Sequence, residues 1–590
     1  MDAELRIATA PFRDPRYAPR RLEVDRRPGG EIVLANPTPF DATFQTPIEP
    51  LAHWAREAPG RTWLAERSGE GWRTVSFSEA HERVAALAGG LRGLGVIGKG
   101  PMLILARNGI DHALIKYAAM SQALPAAPVS PQYGLPGADL SRLAHAVQVL
   151  KPALVYTEDA ALFGEALTAD FLQGLPVIAA KNARPGDISL ENLARAAPAA
   201  PTARPDDHAK YLLTSGSTGL PKAVIITQRS LALNSAQIAA CYDDPEPPVM
   251  VNSAPWSHSL GANSILHMGL HRGGSLYIDA GQPVAGRFAE TVRNLREVAT
   301  TYCNMVPAGW MLLVEELEKD EALARTFFSR VRVLQYGGAA LGQDVSDRIQ
   351  AVAVRTVGEK ISFASGYGAT ETGPTACNVH WPNETMGLIG LPVPGTAVKL
   401  SPVAGKLEFR VKGPQVAQGY LGREDLKGEI FDEEGFYRLG DAARFVDPDD
   451  PLKGLVFDGR ISENFKLASG TFVAAGDLRI AAVSAIGGAV TDAVVCGEGR
   501  AGVGLLLYPN PTMDRESIVA AAREGLARYN ATAKGGSKVT RALVLATPPD
   551  ARAGEITDKG YIAQALARRL RSADVERLFL DPAPPDVMVF

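Results

Sequence analysis

Apolar residues in the first 160 positions form short continuous runs separated by amphipathic stretches. Met102–Ala106 is an apolar run typical of a buried strand, and a helix is predicted from about Ile110. The same alternation is repeated by a strand at Ala126–Val129, a helix at Leu140–Val149 and a strand at Ala153–Tyr156. This order predicts parallel sheets covered by helices, and therefore an α/β fold.

The regions around this alternating segment have different patterns. Residues 1–45 are rich in Arg and Pro without periodicity, and we interpret them as an extended arm on the surface. Ser78 is predicted to be a helix N-cap because an apolar stripe with helical spacing follows it. The stripe consists of Ala80, Val84, Leu87, Leu91 and Leu94. Ala194–Asp207, rich in Ala and Pro, predicts a linker between two sheet subdomains.

The pattern changes twice in the second half of the chain. Further buried strands are predicted near 249–254, 275–278, 299–303 and 331–335. Residues 386–446 contain short β segments broken by Gly and Pro, which indicates a small β-barrel-like subdomain. Beyond Gly459 the pattern is α+β, with strands near 490–496, 502–508 and 541–545 and helices near 513–528 and 560–571.

These patterns predict two domains that meet at Asp458–Ser462. The large N-terminal domain, residues 1–458, is expected to contain two parallel-type α/β sheet subdomains and the small β-barrel-like subdomain. Residues 459–590 are expected to form a small, mobile α+β domain. A chain of 590 residues is also too long for a single hydrophobic core.

Composition narrows the classes of protein and of partner. The 61 basic and 65 acidic side chains nearly balance, so no nucleic-acid or membrane partner is indicated. The 4 cysteines lie far apart, which argues against a disulfide framework or a zinc site. The sequence has neither an apolar run long enough for a membrane span nor an apolar signal core. We therefore expect a cytoplasmic location without membrane insertion.

Residues 214–222, Thr-Ser-Gly-Ser-Thr-Gly-Leu-Pro-Lys, carry the strongest chemical signal. Glycines let backbone N–H groups line an anion site, while hydroxyls and a lysine add donors and positive charge. Apolar runs on both sides predict strand–loop–strand, unlike a Walker A loop, which leads into a helix. We predict a nucleotide-triphosphate loop, with a polar surface turn as the alternative. Its predicted binding residues are Thr214, Ser215, Gly216, Ser217, Thr218, Gly219 and Lys222.

Three histidines carry weaker signals. His267 and His271 have the i, i+4 spacing of metal ligands, but a third ligand is missing, so a partly exposed helix face is the preferred interpretation. His258 is not accompanied by a Gly-x-Ser-x-Gly elbow, and a catalytic triad is therefore not predicted.

Five further motifs follow in a fixed order. They are Tyr336–Leu341, Tyr367–Gly373, Gly413–Leu421, Tyr437–Asp441 and Gly459–Arg460. With the phosphate loop they resemble the motifs of the adenylate-forming superfamily, which includes acyl-CoA synthetases, luciferases and nonribosomal adenylation domains. The resemblance extends from about residue 50 to about residue 560. It implies that ATP activates a small-molecule carboxylic acid through an acyl-adenylate.

The resemblance also assigns residues to the parts of ATP. Thr218 and Thr370 would contact phosphates. Glu371 would hold Mg²⁺, although it could instead be a helix-start carboxylate. Asp441 and Arg460 would bind the ribose hydroxyls. Tyr367 would pack on adenine, and Gly338, Ala339 and Ala340 would offer it backbone groups. Gly368 is a further predicted nucleotide contact.

The acid site is placed by a second resemblance. Pro255–Ser259 is similar to the aromatic/His motif that borders the substrate carboxylate in this family, which implies a catalytic position for His258. The predicted acyl-pocket residues are His258, Ser259, Asn304, Val306 and Gly337, the last three by position relative to the matched motifs.

Two positions depart from the common family pattern. The hinge, usually Asp or Lys, is Ser462 here, and Glu555 stands where the C-terminal catalytic lysine is expected. Lys559 is predicted to replace that lysine, with Lys466 as the second candidate. Gly470 would border the pantetheine tunnel after rotation of the C-terminal domain. These departures and the N-terminal arm resemble feruloyl-CoA synthetases and related aryl- or fatty-acyl-CoA ligases.

We therefore expect a hydroxycinnamate–CoA ligase that uses ATP, Mg²⁺ and coenzyme A. The alternatives are a medium- or long-chain fatty acyl-CoA ligase, an adenylation enzyme that loads a carrier protein, and a nucleotide-binding protein without catalysis. A fused carrier is not expected, because no Leu-Gly-Gly-x-Ser signature follows residue 560. The sequence leaves both a monomer and a homodimer open.

Overall fold

The computed structural model describes residues 7–214, 221–284, 286–338, 341–403, 405–461, 465–511, 513–533, 535–550, 553, 555–556 and 562–590. Strands and helices alternate through most of this chain. The predicted α/β fold, with several sheets and a smaller C-terminal α+β part, is confirmed.

The first part of the chain builds helices around a parallel sheet. Its elements are β1 Glu23–Arg26, β2 Ile32–Ala35, α1 Glu49–Glu57, β3 Thr62–Ser68, β4 Gly71–Ser76, α2 Phe77–Gly93, β5 Met102–Leu105, α3 Ile110–Ser121, β6 Ala126–Pro128, a 3₁₀ turn Pro131–Tyr133, α4 Ser141–Leu150, β7 Leu154–Thr157, α5 Gly164–Leu167, a 3₁₀ turn Asp170–Leu172, β8 Val177–Ala179, β9 Ile188–Ser189 and α6 Leu190–Leu193. Met102 on β5 lies opposite both Ala126 and Leu154, in parallel pairs. The predicted alternation of this region is confirmed.

The predicted N-cap at Ser78 is wrong by two residues. Helix α2 begins at Phe77, and Ser76 is its N-cap. The Ser76 side chain accepts a hydrogen bond from the Glu79 amide, while the Glu79 carboxylate accepts one from the Ser76 amide. This reciprocal capping box satisfies two free N–H groups and fixes the start of the helix.

The middle of the chain supplies two groups of parallel strands. Its elements are β10 His208–Thr214, β11 Lys222–Thr227, α7 Gln228–Ala239, β12 Val249–Asn252, a π-helix Leu260–His267, α8 Met268–His271, β13 Ser275–Ile278, α9 Ala289–Glu297, β14 Tyr302–Met305, α10 Pro307–Lys319, α11 Glu321–Arg330, β15 Val333–Tyr336, α12 Gln343–Val357 and β16 Ser362–Tyr367. The strands predicted in this region are present within a few residues.

The strands in the remaining part of the chain pair mainly in antiparallel orientation. Its elements are a 3₁₀ turn Thr370–Thr372, β17 Cys377–Asn378, β18 Leu388–Pro392, β19 Ala397–Val403, β20 Lys406–Lys412, a 3₁₀ turn Glu424–Leu426, α13 Lys427–Ile430, β21 Tyr437–Phe445, a 3₁₀ turn Pro451–Lys453, β22 Leu455–Arg460, β23 Phe465–Lys466, β24 Phe472–Val473, α14 Ala475–Ile486, β25 Val490–Cys496, β26 Val503–Pro509, α15 Arg515–Thr532, a 3₁₀ turn Gly535–Ser537, β27 Val539–Val544, α16 Gln564–Leu570, α17 Ser572–Leu578 and β28 Val587–Val589.

The sheets connect the predicted subdomains more closely than the sequence suggested. Seven strands form the order β11-β10-β6-β5-β7-β8-β9, and four form β12-β13-β3-β4. Parallel strands β14 to β16 continue through β17 into the antiparallel barrel-like strands, giving one eleven-stranded sheet. The arm is part of this sheet, because β2 pairs with β19.

The C-terminal strands form a sheet of their own in the order β25-β26-β27-β28. Apolar residues of α14 and α15 pack on it in a separate core that includes Leu478, Leu505 and Leu526. Helix α14 also approaches β22, since a Cβ placed on Gly476 would lie 3.5 Å from the Gly459 Cα. The domain boundary at 458/459 stays a prediction.

Candidate active site

The two ends of the phosphate loop are fixed by neighbouring antiparallel strands. Thr214 on β10 pairs with Lys222 on β11, so the strand–loop–strand prediction is confirmed. Amide groups also connect β11 to the Gly413–Leu421 motif: Ile225 donates to the Gly419 carbonyl at 3.0 Å. Residues 215–220 lie outside the described residues, and with them the predicted ligands Ser215, Gly216, Ser217, Thr218 and Gly219.

Glu371 lies beside the ends of that loop. Its Oε1 accepts hydrogen bonds from the Tyr420 hydroxyl at 2.8 Å and from the Thr214 hydroxyl at 3.4 Å. The half-buried Lys222 has its Nζ 4.7 Å from the centre of the Tyr420 ring. Glu371 also lies in the first turn of a short 3₁₀ helix, as the helix-start alternative describes, and its role in holding Mg²⁺ stays a prediction.

Tyr420 is the residue of this group that the sequence did not single out. Burial and the nearby Glu371 carboxylate raise the pKa of Tyr420, so its hydroxyl stays protonated and donates. Its oxygen lies 2.9 Å from the Tyr437 hydroxyl oxygen. The only available signal was its place in the Gly413–Leu421 motif, because a buried tyrosine in a β region usually indicates packing.

Thr370 joins the second core motif to the predicted acid site. Its hydroxyl donates to the Ser259 hydroxyl oxygen at 3.1 Å, and both residues are buried. Ser259 is the N-cap of the π-helix, and the half-buried His258 precedes it. π-Helical turns are frequent at functional sites. The two motifs are thus adjacent at this point.

The carboxyl ends of β14, β15 and β16 bring the other predicted pocket residues together. Met305 and Tyr336 are parallel partners, so Val306 and Gly337 follow at the same edge. A Cβ on Gly337 would lie 3.6 Å from Leu260 Cδ1, and one on Gly338 would lie 4.0 Å from Val306 Cγ1. The predicted adenine residues Ala339 and Ala340 lie outside the described residues.

Asn304 belongs to a buried polar group at the same edge. Its Nδ2 donates to Gln335 Oε1 at 2.5 Å, and the Tyr302 hydroxyl donates to the same oxygen. Asn304 Oδ1 is buried and has no partner among the described residues. A Cβ on Gly366 would lie 3.4 Å from Gln335 Nε2. Sequence reasoning missed Gln335, whose side chain is polar in an otherwise apolar strand.

The predicted ribose residues are paired across two strands. Asp441 on β21 lies opposite Arg460 on β22, with 3.4 Å between Asp441 Oδ1 and Arg460 Nε. The Tyr367 hydroxyl donates to Asp441 Oδ2 at 2.7 Å. Burial and the Asp441 charge raise the pKa of Tyr367. Tyr367 packs against Phe409, with ring centres 5.1 Å apart, so it orients the carboxylate in addition to its predicted adenine role.

Gly368 follows Tyr367 at a position where only glycine fits. Its φ is +154°, and a Cβ there would lie 2.1 Å from the Pro374 carbonyl oxygen. Any side chain would therefore displace the turn that carries Thr370 and Glu371.

The C-terminal candidates occupy different places. Lys466 is exposed on β23, and Gly470 is in the adjoining turn with a φ of +79°. Ser462 and Lys559 lie outside the described residues. The isolated bridge between Ile556 and Ile562 brings together the two ends of the segment that contains Lys559.

Glu555 is held by a buried ion pair. Arg571 donates to both of its carboxylate oxygens at 2.8 Å, and the Tyr508 hydroxyl donates to one of them. Burial by itself would raise the pKa of Glu555, but the donors from Arg571 and Tyr508 hold it below its usual value. Glu555 is therefore a structural anchor at the position where the family lysine was expected.

The interpretation of His267 as partly exposed is wrong. His267 is buried, with its Nδ1 2.6 Å from the Tyr117 hydroxyl oxygen. Burial lowers the pKa of His271 to about 4. The described part of the chain contains no cluster of three or more His, Cys, Asp or Glu residues arranged for a metal ion.

Comparison with known proteins identifies the class. Residues 51–421 match the model of the AMP-binding enzyme family, and residues 480–581 match that of the AMP-binding enzyme C-terminal domain. The 4-coumarate–CoA ligase 5 of Oryza sativa subsp. japonica is 27% identical over 411 residues, which are 64% of this chain and 70% of that protein. The feruloyl-CoA synthase of Amycolatopsis sp is 25% identical over 410 residues, 66% of this chain and 76% of that protein.

A solved structure shows the same fold. The adenylation domain of a carboxylate reductase from Mycobacterium chelonae superposes with a TM-score of 0.73 at 19% identity, covering 90% of this chain and 91% of that one. The chain belongs to the AMP-binding enzyme family. It is an AMP-forming acid–thiol ligase of the adenylate-forming superfamily. None of the helices described is both long and apolar enough to cross a membrane.

Proposed function

We propose that this enzyme is a hydroxycinnamate–CoA ligase, which uses ATP to convert an aromatic propenoic acid such as ferulate into its CoA thioester. The observation that supports activation of an acid by ATP is the convergence of separate motifs. Thr214, Lys222 and Glu371 meet at Tyr420, and Thr370 contacts Ser259. Nucleotide phosphates held at the first group would thus lie near an acid held at the second.

In the first half-reaction, an oxygen of the acid attacks the α-phosphorus of ATP, the bond to the β-phosphate oxygen breaks, and pyrophosphate leaves. Lys222 would neutralise the charge of the phosphates, and Thr370 would donate a hydrogen bond to a phosphate oxygen. Both roles matter because phosphoryl transfer depends on positioning and charge stabilisation. Asp441 would accept hydrogen bonds from the ribose hydroxyls, with Arg460 and Tyr367 fixing its orientation.

The surroundings of Glu371 fit a magnesium ion. Mg²⁺ takes oxygen ligands and is commonly held by one or two carboxylates together with substrate phosphates. Glu371 supplies one carboxylate at the end of the phosphate loop, and the Tyr420 and Thr214 hydroxyls fix its orientation. When bound, the ion would add positive charge at the phosphates.

In the second half-reaction, the CoA thiolate attacks the acyl carbonyl, the acyl–phosphate bond breaks, and AMP leaves. We propose that His258 borders the reacting carboxylate, that Lys559 serves adenylation with Lys466 as the second candidate, and that Gly470 borders the pantetheine. A carrier-protein thiol could replace CoA in the same chemistry, so the acceptor must be tested directly.

We place Asn304 in the wall of the acyl pocket, and this placement favours an acid with a phenolic hydroxyl. Asn304 Oδ1 is a buried acceptor without a partner among the described residues, and a substrate O–H would satisfy it. The named activities of the rice and Amycolatopsis relatives point to the same substrate class.

A panel of acids tests the proposal. ATP–pyrophosphate exchange and thioester formation with free CoA should both proceed with ferulate, p-coumarate and caffeate. Cinnamate, which lacks the phenolic hydroxyl, should have a specificity constant about tenfold lower or more. Asn304→Val should reduce that difference by lowering the value for p-coumarate. A higher specificity constant for palmitate, or exchange without thioester formation on CoA, would overturn the assignment.

A further inference from the structure

Helix α4 carries a histidine that contacts the end of the phosphate loop and that the proposed reaction does not use. His145 lies in the middle of α4 and is half-buried. Its Nε2 atom lies 2.9 Å from the carbonyl oxygen of Pro221. Because a carbonyl oxygen can only accept a hydrogen bond, Nε2 carries the proton and His145 is the donor.

This hydrogen bond restrains the chain at the residue before Lys222. Lys222 is the first residue of β11, and it pairs with Thr214 at the other end of the phosphate loop. The bond from His145 holds the peptide group that joins Pro221 to Lys222. Because a peptide group is planar, its orientation determines where the side chain of Lys222 leaves the strand.

The far end of the Lys222 side chain is held by a different contact. Its Nζ atom lies 4.7 Å from the centre of the Tyr420 ring, within the range of a cation–π interaction. His145 therefore acts on the backbone end of Lys222, and Tyr420 acts on the ammonium group. The two contacts together restrain a long side chain that has many rotamers when it is free.

Helix α4 provides a rigid support for the contact. Its buried apolar residues belong to one cluster with residues of β10 and β11. They are Leu143, Ala146 and Leu150, and their partners include Tyr211 and Ala223. Ala223 directly follows Lys222 on β11. The packed cluster fixes the helix relative to the strand, so His145 holds the Pro221 carbonyl at a defined place.

We propose that His145 is a positioning residue that holds Lys222 in the orientation in which its ammonium group meets the phosphates of ATP. The inference rests on the proposed role of Lys222 in neutralising phosphate charge. Stabilisation of charge in phosphoryl transfer depends on groups that are in place before the reaction. Without the His145 donor, Lys222 is present but less well oriented.

Two substitutions of His145 test the importance of its donor. His145→Leu removes the donor, and kcat/KM for ATP in ATP–pyrophosphate exchange should fall about fivefold, a typical effect of losing one neutral hydrogen bond. His145→Gln keeps an N–H donor and should retain about half or more of the wild-type value. A histidine that only joined α4 to β11 would affect the Tm and leave kcat/KM for ATP unchanged.

A double-mutant cycle shows whether His145 acts through Lys222. Lys222→Met alone should lower kcat/KM for ATP about tenfold or more. In that background His145→Leu should cause a further loss of less than about twofold, because the side chain that it positions is gone. Losses that multiply in the double variant would overturn the proposal.

His208→Leu is the matched control. His208 is also half-buried, it lies on β10, and its Nδ1 is 2.8 Å from the Tyr211 hydroxyl oxygen. Its replacement should change kcat/KM for ATP less than about twofold. Equal losses in His208→Leu and His145→Leu would show a general disturbance of the strands and would also overturn the proposal.

The outcomes separate this inference from the proposed role of Lys222. If Lys222→Met lowers exchange and His145→Leu does not, the role of Lys222 stands and the positioning role of His145 is wrong. If Lys222→Met leaves exchange unchanged, both are wrong. If His145→Leu does not fold, His145→Phe takes its place in the cycle, because it keeps a planar ring and lacks the donor.

Discussion

At the scale of single residues, the Tyr420 hydroxyl connects parts of the site that are far apart in sequence. The hydroxyl donates to Glu371, and its oxygen contacts the Tyr437 hydroxyl. The backbone of Tyr420 forms an isolated bridge with β11. Glu371 in turn accepts from Thr214 at the start of the phosphate loop. The charge of Glu371, rather than its shape, is therefore the property to remove in a test.

Glu371→Gln should lower ATP–pyrophosphate exchange tenfold or more while leaving the Tm within about 2 °C of the wild type. Glutamine keeps the size of the side chain and an oxygen that accepts from Tyr420, but it removes the charge proposed to hold Mg²⁺. Tyr420→Phe is the matched control, because it removes the hydrogen bond and keeps the charge. Full exchange activity of Glu371→Gln would remove this residue from the metal site.

Asp441→Asn should raise the KM for ATP about tenfold with a smaller change in kcat, since a ribose contact is made in both the ground and transition states. The wild type with 2′-deoxy-ATP should show part of the same penalty. For the Asp441→Asn variant, replacing ATP by 2′-deoxy-ATP should raise the KM little further, because the analogue lacks a hydroxyl that Asp441 is proposed to bind. Additive penalties would show that Asp441 acts elsewhere.

At the scale of elements, Glu555 anchors the segment between β27 and α16. Its main-chain carbonyl accepts from the Ala563 amide at 2.9 Å, and its carboxylate pairs with Arg571 on the turn after α16. The pair is almost completely buried on the Glu555 side, with 1% of that side chain exposed. A buried charge whose partner is neutralised is strongly destabilising.

Glu555→Gln should lower the free energy of unfolding in urea by about 3 kcal/mol at pH 7. The exposed pair Arg500–Glu576 is the control, and Arg500→Ala should cost less than about 1 kcal/mol. A small effect of Glu555→Gln would mean that the ion pair does not anchor this segment.

The difference in free energy of unfolding between the wild type and Glu555→Gln should change with pH in a defined direction. The folded state holds the pKa of Glu555 below its usual value. Its contribution to stability is therefore complete above the unfolded pKa of about 4.3 and is lost as the pH falls through the folded pKa. The difference between wild type and Glu555→Gln should shrink below about pH 4.

At the scale of the whole molecule, we propose that the two half-reactions use two arrangements of the N-terminal and C-terminal parts. Residues 459–460 end β22, the strand that carries Arg460 of the ribose-site pair, and α14 approaches them at Gly476. We propose that Ser462 is the hinge, because a change of arrangement there needs freedom in φ and ψ more than a particular charge.

Ser462→Pro should slow thioester formation at least several-fold more than ATP–pyrophosphate exchange, because proline fixes φ at about −65° and hinders rotation. Ser462→Gly is the control, since it removes the hydroxyl and keeps the freedom of rotation. Rapid-quench measurement of the two half-reactions separates the effects. Equal slowing of both steps would place the hinge elsewhere.

Element types were predictable where local pattern and burial agree. Strands β5 to β7 are continuous apolar runs, and such runs in alternation with helices fold into parallel sheets in many sequence contexts. The cap of α2 was misplaced because Ser76 and Ser78 both precede the apolar stripe, and only the reciprocal bond with Glu79 selects Ser76.

Residues of the candidate site were predictable where a charged side chain or a particular backbone conformation belongs to one local motif. Lys222, Glu371 and Asp441 stand in such motifs. In the structure Lys222 and Glu371 both contact Tyr420, and Asp441 lies beside Arg460. Gln335 and Tyr420 were missed because their importance comes from partners on other elements. Asn304 is 31 residues from Gln335, and Glu371 is 49 residues from Tyr420.

The sequence by itself determined the α/β class, the order of the motifs and the family, because these depend on local periodicity and on short groups of residues with fixed chemistry. Tertiary structure alone decided that the arm completes an eleven-stranded sheet and that Glu555 is neutralised by Arg571. Each of these outcomes depends on contacts between elements that are far apart in the sequence, and a local pattern does not encode those contacts.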